Sequence, residues 1–217
     1  MKKIITVDGP AGSGKEKISK YIARHYSLYH IDSGIFYRRL AYELLKNRIK
    51  THEKIKIKKL IIQLDNLSLI KIKALRQEKV GKMASEIARY DFVRNFINVQ
   101  QRLVTKISNN KAGFVIDGRD IGSIVFKKAT LKLYVEVDIN IRAKRRYKQL
   151  IDNGEKSIYH KILEDIKLRD KKDKSRKNSP LVIPEGAYVV DNSSKFSITQ
   201  NQLNIIIGKY INGKYWN

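Results

Sequence analysis

The chain predicts a doubly wound α/β fold around a mostly parallel five-stranded sheet, and three observations carry that reading. Short apolar runs begin at Ile4, Leu28, Gly113, Leu131 and Ala187, with helical periodicity filling the stretches between them. The first run, Ile4-Ile5-Thr6-Val7-Asp8, breaks into Gly9-Pro10-Ala11-Gly12-Ser13-Gly14-Lys15 and then into a helix. The run Gly113-Phe114-Val115-Ile116-Asp117 is apolar until it ends in a charge, as a strand buried on both faces does. Right-handed crossovers between such strands set them parallel.

In chain order, Ile18, Tyr21 and Ile22 mark a helix from Lys17 to Tyr26, and Leu28 to Asp32 is a short strand. Asp32-Ser33-Gly34 suits a tight turn and a helix cap, so Ile35 to Lys46 reads as an amphipathic helix. Between Arg48 and Gln77 the pattern loosens: Lys54 to Leu64 suits a helix, and Leu67 to Leu75 alternates like a strand. Helical spacing then runs from Val80 through Ala84, Ile87, Phe92 and Phe96 to Leu103, with Ser85 and Arg94 within it. Leu131 to Val137 is a further strand. Ile139 to Leu150 is a helix carrying Arg142, Arg145 and Arg146, and Ser157 to Asp170 is another. The segment Arg169-Asp-Lys-Lys-Asp-Lys-Ser-Arg-Lys177 reads as a solvated or mobile basic loop. Ala187 to Asp191 is the last strand and Ser197 to Tyr210 the closing helix. No internal repeat or Gly/Ser linker divides the chain, so residues 1–217 read as one domain.

Composition narrows the chemistry. The chain of 217 residues has no cysteine, which excludes disulfides and Cys-ligated metals. Its four histidines are scattered without ligand spacing, against a zinc site. A formal charge of +25, from 46 Lys and Arg against 21 Asp and Glu, points to an anionic partner: nucleotide, nucleic acid or membrane surface. A Lys-, Ile-, Asn- and Tyr-rich mix also arises from AT-rich coding, so the lysines alone decide nothing. No aromatic-rich RNA platform is legible. No apolar run reaches bilayer length, and Asp8-Gly9 ends the first one too early for a signal peptide. The expectation is a cytoplasmic protein.

Gly9, Gly14 and Lys15 complete Gly-x-x-x-x-Gly-Lys between a strand and a helix. Glycines let backbone N–H groups turn onto phosphate oxygens, the helix N-terminus adds partial positive charge, and Lys15 reaches the β- and γ-phosphates. Glu16 stands where many such loops have Ser or Thr, followed by Lys17. A carboxylate there suits the helix dipole and pairs with Lys20 at i,i+4. Turned instead toward a phosphate about 5 Å away, it would repel by roughly 3 kcal/mol at an effective dielectric of about 20. Arg38 sits near a strand's carboxyl end, where α/β sheets collect ligands, and suits a second phosphate; Arg119 and Asp120 present both signs of charge at another strand tip.

These segments together resemble the bacterial cytidylate (CMP) kinases over nearly the whole chain. The motifs are Asp8-Gly-Pro-Ala-Gly-Ser-Gly-Lys15, Asp32-Ser-Gly-x-x-Tyr-Arg38, Ala84-Ser85 with Arg94, Asp117-Gly-Arg-Asp-Ile-Gly122, Arg142-Ala-Lys-Arg-Arg-Tyr147, and Arg169-Asp-x-x-Asp-x-x-Arg176-x-x-x-Pro-Leu181. The resemblance implies a P-loop nucleoside monophosphate kinase with an NMP-binding insertion at 48–85 and a lid region at 154–180. It implies that Gly9, Pro10, Ala11, Gly12, Ser13, Gly14, Lys15, Glu16 and Lys17 hold the phosphates of ATP. Ser33, Tyr37, Arg38 and Arg119 match positions around the CMP phosphate. Ser85, Arg94 and Asp120 match the cytosine readers, and Arg169 and Asp173 the sugar contacts. Arg145, Arg146 and Arg176 match lid arginines that, with Lys15 and Arg119, act on the transferring group. The implied cofactors are ATP and Mg²⁺ and the partners CMP or dCMP, in a monomer without specific nucleic acid or membrane. A weakened nucleotide-binding relative and a kinase for UMP or AMP are the alternatives. Against other monophosphates, uracil would set a carbonyl against Asp120, leaving buried polar groups unpaired.

Overall fold

The computed structural model describes residues 3–64, 67, 73–106 and 111–211. The chain divides into two compact units, Met1–Ile31 with Asn110–Asn217, and Asp32–Asn109. The first is built on an all-parallel sheet of β1 (Lys3–Asp8), β2 (Tyr29–Asp32), β3 (Gly113–Gly118), β4 (Leu131–Glu136) and β5 (Tyr188–Asp191), in the order β2-β3-β1-β4-β5. The chain leaves central β1 toward one side and later continues on the other. The turn after β1 therefore lies at the switch point where α/β sheets bind ligands. Register aligns the strand tips: Asp8 stands opposite Gly118 of β3 and Tyr134 of β4.

Burial follows from strand composition. Ile5 and Val7 of β1, Val115 of β3, Leu133 and Val135 of β4 and Val190 of β5 are fully buried. They form one cluster with Ile18 and Ile22 of α1 (Lys15–His25) and Leu203 and Ile207 of α8 (Phe196–Ile211). Each such side chain contributes about 1.5–3 kcal/mol by leaving water. Helices α6 (Ile139–Asp152) and α7 (Tyr159–Lys174) complete this unit, and Asp138 caps α6 by accepting the Asn140 and Ile141 N–H bonds.

The second unit is helical: α2 (Gly34–Lys46), α3 (Lys54–Gln63), α4 (Glu78–Ile87) and α5 (Asp91–Val104), with a 3₁₀ turn at Lys73–Arg76. Phe36, Leu40 and Leu44 of α2 are buried, as are Ile57, Leu75, Val80, Ile87, Val93 and Ile97.

Three expectations change. The strand expected over Leu67–Leu75 lies largely outside the described residues. Its described end is the 3₁₀ turn, which buries Leu75 and aims its carbonyl at Arg38 Nη1, 2.9 Å away. The helical stretch from Val80 to Leu103 is two helices. The chain leaves the helix after Ala88, Tyr90 is extended, and Asp91 opens α5 with a favourable charge at its N-terminus. Ser85 and Arg94 thus lie on different helices. The basic run after Arg169 is helical as far as Lys174, because Asp170 and Asp173 turn inward onto arginines while the lysines remain outside.

Gly9 meets a backbone demand that a residue with a Cβ would not. Its φ is +151°, and a Cβ there would stand 2.4 Å from the Val135 carbonyl oxygen. Gly9→Ala is therefore expected to lower the urea midpoint by the equivalent of about 1–3 kcal/mol or more, since the obstruction is β4 backbone. Unchanged stability in urea titration would contradict this packing.

Candidate active site

The turn from β1 into α1 forms a cradle. Gly12 and Gly14 adopt left-handed φ values of +75° and +83°, and Gly14 starts the helix with no side-chain cap. The first N–H groups of a helix have no helical acceptors, and with the positive end of the dipole they suit an anion. Lys15 is buried, and its ammonium donates to the Pro10 carbonyl at 2.6 Å and to Ser13 Oγ at 3.3 Å. Burial, reinforced by the positive charge of Arg119, pushes that ammonium well below the ordinary lysine range. The carboxylates of Asp117 and Asp8 act in the opposite direction, and Arg169 adds to the lowering.

The loop is fastened from behind. Asn192, just past β5, donates from Nδ2 to the Ser13 carbonyl at 2.9 Å, and Thr199 donates to its Oδ1 at 3.0 Å. Asp8 is fully buried and accepts the N–H groups of Ile121 and Gly122 at 2.9 and 2.7 Å. Those residues begin a π-helical turn, Ile121–Val125, directly after Arg119 and Asp120. None of this was legible beforehand. Asp8 carried only its place in a motif, although a charge closing an apolar strand beside a glycine loop is a signal; so is an Asn at the carboxyl end of the last strand.

Asp173, buried on α7, holds two arginines of this unit. It accepts from Arg119 Nε at 3.2 Å and from Arg176, while Arg119 Nη1 reaches the Gly118 carbonyl at 3.2 Å. Arg145 and Arg146 stand apart from this cluster. Arg145 donates to the Ser193 carbonyl at 3.2 Å, and Arg146 to Gln149 Oε1 at 2.9 Å on its own helix. Glu16 pairs with Lys20 at 2.5 Å on the outer face of α1, and Lys17 Nζ lies 4.1 Å from the centre of the Phe196 ring. Both side chains thus run along the helix exterior. Asp120 is buried in this unit.

The other candidate residues belong to the helical unit. Ser33 is buried at the start of α2, but the Gly34 N–H is capped by Asp32 Oδ1 at 2.9 Å rather than by the serine. The Arg38 guanidinium lies over Gly81, where a Cβ would come within 3.1 Å of Nη1 and Nη2. Arg94 is buried with its guanidinium carbon 5.9 Å from the centre of the Tyr37 ring, and Ser85 is exposed on α4.

A family profile described as Cytidylate kinase matches residues 5–210. The chain belongs to that family. A cytidylate kinase of Bartonella bacilliformis is 38% identical over 190 residues, 88% of this chain and 86% of its own. One of Bartonella tribocorum is 36% identical over 215 residues, 97% and 98% of the two chains. A solved structure of an uncharacterized protein from Eubacterium ventriosum shares the fold, with a TM-score of 0.50 at 16% identity over 96% of this chain and 99% of that one. Membership in the cytidylate kinase family accords with a glycine cradle, a buried lysine and arginines at strand tips, the equipment of phosphoryl transfer.

The Asp8 carboxyl gives this site a pH signature. Burial, set against the two N–H bonds, pushes it from the ordinary 3.8 up to about 6. A raised carboxyl favours the folded state while protonated: its contribution is complete below the unfolded value and is lost as pH rises through about 6. The swing is about 3 kcal/mol. The stability difference between the natural protein and Asp8→Asn should therefore be most favourable to the natural protein near pH 4 and shrink toward pH 7. Thermal melts at several pH values check this; a constant difference would count against a protonated, buried Asp8.

Proposed function

We propose that the protein transfers the γ-phosphoryl group of ATP to CMP or dCMP, producing CDP or dCDP for pyrimidine nucleotide metabolism. The observation that carries this reading is Lys15, buried in a glycine cradle between the central strand and α1, in a chain of the cytidylate kinase family. A buried ammonium beside a helix N-terminus suits a polyphosphate. The loop N–H groups and Lys15 orient the donor phosphates, while Ser33, Tyr37, Arg38 and Arg119 hold the acceptor phosphate. An acceptor phosphate is mostly ionised at neutral pH, so alignment and charge neutralisation suffice without a strong base.

Arg119 and Arg176, both held by Asp173, can turn from that carboxylate to the transferring group, with Arg145 and Arg146 joining as the 154–180 lid closes. Asp173 and Arg169 then meet the sugar. Residues 48–85 serve as the NMP-binding insertion, and Ser85, Arg94 and Asp120 read cytosine. Among the described residues no group of three or more His, Cys, Asp or Glu could hold a metal ion, and the reading takes Mg²⁺ as carried by the phosphates of ATP. Bound with ATP, Mg²⁺ supplies further neutralisation of the phosphate oxygens. No helix among the described residues is long and apolar enough to cross a membrane, and the reading takes the protein as a cytoplasmic monomer acting on free nucleotides.

Transfer assays with CMP, dCMP, UMP, AMP and GMP test the reading, with CMP and dCMP expected to be preferred. Arg94→Ala or Asp120→Ala should raise the CMP KM and shrink the CMP/UMP ratio about ten- to a hundredfold, the effect of leaving a buried partner unpaired. Equal turnover of all five substrates, or unchanged preference in both folded variants, would refute it.

The outward course of Glu16 and Lys17 favours a modest role for both. Glu16→Gly with Lys17→Thr should raise ATP affinity or kcat at low Mg²⁺ by about tenfold or less. A gain of several decades in a Mg²⁺ titration would mean that Glu16 opposes the phosphates directly.

A further inference from the structure

Arg142, the first arginine of α6, is almost wholly buried and joins three elements of the sheet unit. Its Nε donates to the Val137 carbonyl at 3.1 Å, just beyond β4. Its Nη1 donates to the Ala11 carbonyl, at the crown of the glycine loop, at 3.0 Å. Nη1 and Nη2 together grip Asp170 of α7, at 3.1 and 2.6 Å. Four hydrogen bonds thus use most of a guanidinium's five donors. The side-chain stem runs beside Gly12, 3.6 to 4.0 Å from where a Cβ would stand.

Two consequences follow from bond geometry. The Ala11–Gly12 peptide is planar and trans, so its carbonyl and its N–H point in opposite directions. Anchoring the Ala11 carbonyl on Arg142 therefore turns the Gly12 N–H the other way, away from the guanidinium and toward where the loop can meet an anion. At the other end, Asp170 is the immediate neighbour of Arg169 and lies one helical turn from Asp173. A bidentate pair with both partners this buried fixes distance and angle together, unlike an exposed contact.

We propose that Arg142 is a positioning residue: it sets the Ala11–Gly12 peptide for the donor phosphates and couples the state of that loop to α7, which carries Arg169 and Asp173. The proposal rests on the reading that the glycine loop binds ATP. A staple of purely structural value would affect stability without distinguishing the two substrates. A positioning residue separates them.

The test measures binding of a non-hydrolysable ATP analogue alone and of CMP alone by calorimetry, with melting temperature and kcat alongside. Arg142→Met should weaken the ATP analogue about ten- to a hundredfold and leave CMP within about twofold, with Arg142→Lys recovering part of the loss. Asp170→Asn leaves the Ala11 and Val137 bonds in place. It should change ATP-analogue affinity by about threefold or less, lower kcat about tenfold or more, and speed amide exchange in α7. Undiminished ATP-analogue affinity in Arg142→Met overturns the proposal, and so does an equal loss of both ligands in step with melting temperature. Should Arg142→Met not fold, Asp170→Asn decides: unchanged kcat with unchanged α7 exchange overturns the coupling. A natural protein that binds no ATP analogue sinks the kinase reading and this proposal together, whereas one that binds it while Arg142→Met binds it equally sinks only this proposal.

Discussion

A carboxylate without access to water stands at the end of the central strand, and the arrangement around it follows from that burial. Asp8 has β3 on one side and β4 on the other, so the carboxyl cannot reach solvent and must find donors within the fold. It finds them in two consecutive backbone N–H groups, those of Ile121 and Gly122. The bonds fix the chain immediately after Arg119 and Asp120 and shape the π-helical turn there. The same strand end launches the glycine loop. One buried acid therefore ties the glycine loop to the strand tip that carries Arg119 and Asp120.

The cations of the site are held in reserve by acceptors belonging to the protein. Lys15 is satisfied by its own loop, Arg119 and Arg176 by Asp173, and Arg142 by Asp170 and two carbonyls. Burying such charges unpaired would be prohibitive, so each has a partner chosen by the fold. Those partners differ in kind. Lys15 is held by a carbonyl and a hydroxyl of its own loop and Arg119 and Arg176 by one carboxylate, whereas Arg142 spends its donors on three separate elements of the sheet unit.

The large positive charge has a different standing. Exposed pairs such as Glu16 with Lys20 and Glu164 with Lys167 sit in water, where each is worth about 0–1 kcal/mol and is screened by salt. Most lysines among the described residues are exposed. The cations of the candidate site are a few buried or strand-tip ones, and a count of charges does not distinguish them.

The sequence by itself determined what is local. Short apolar runs located the five strands, 3.6-residue spacing located most helices, and the glycines before Lys15 marked the tight loop between β1 and α1. Tertiary structure decided what is distant or competitive. Val80 to Leu103 has unbroken helical periodicity, yet the chain turns at Ala88–Tyr90 so that two shorter helices can each bury a face; periodicity says which residues are apolar, not where the packing needs a bend. The run after Arg169 reads as solvated by its charge, and only the inward partners of Asp170 and Asp173 make it helical. Asn192 fastens the loop across 179 residues of chain and Arg142 reaches Ala11 across 131. A guanidinium or an amide has no preferred partner until parallel crossovers bring one within hydrogen-bond reach, and that encounter is a property of the fold.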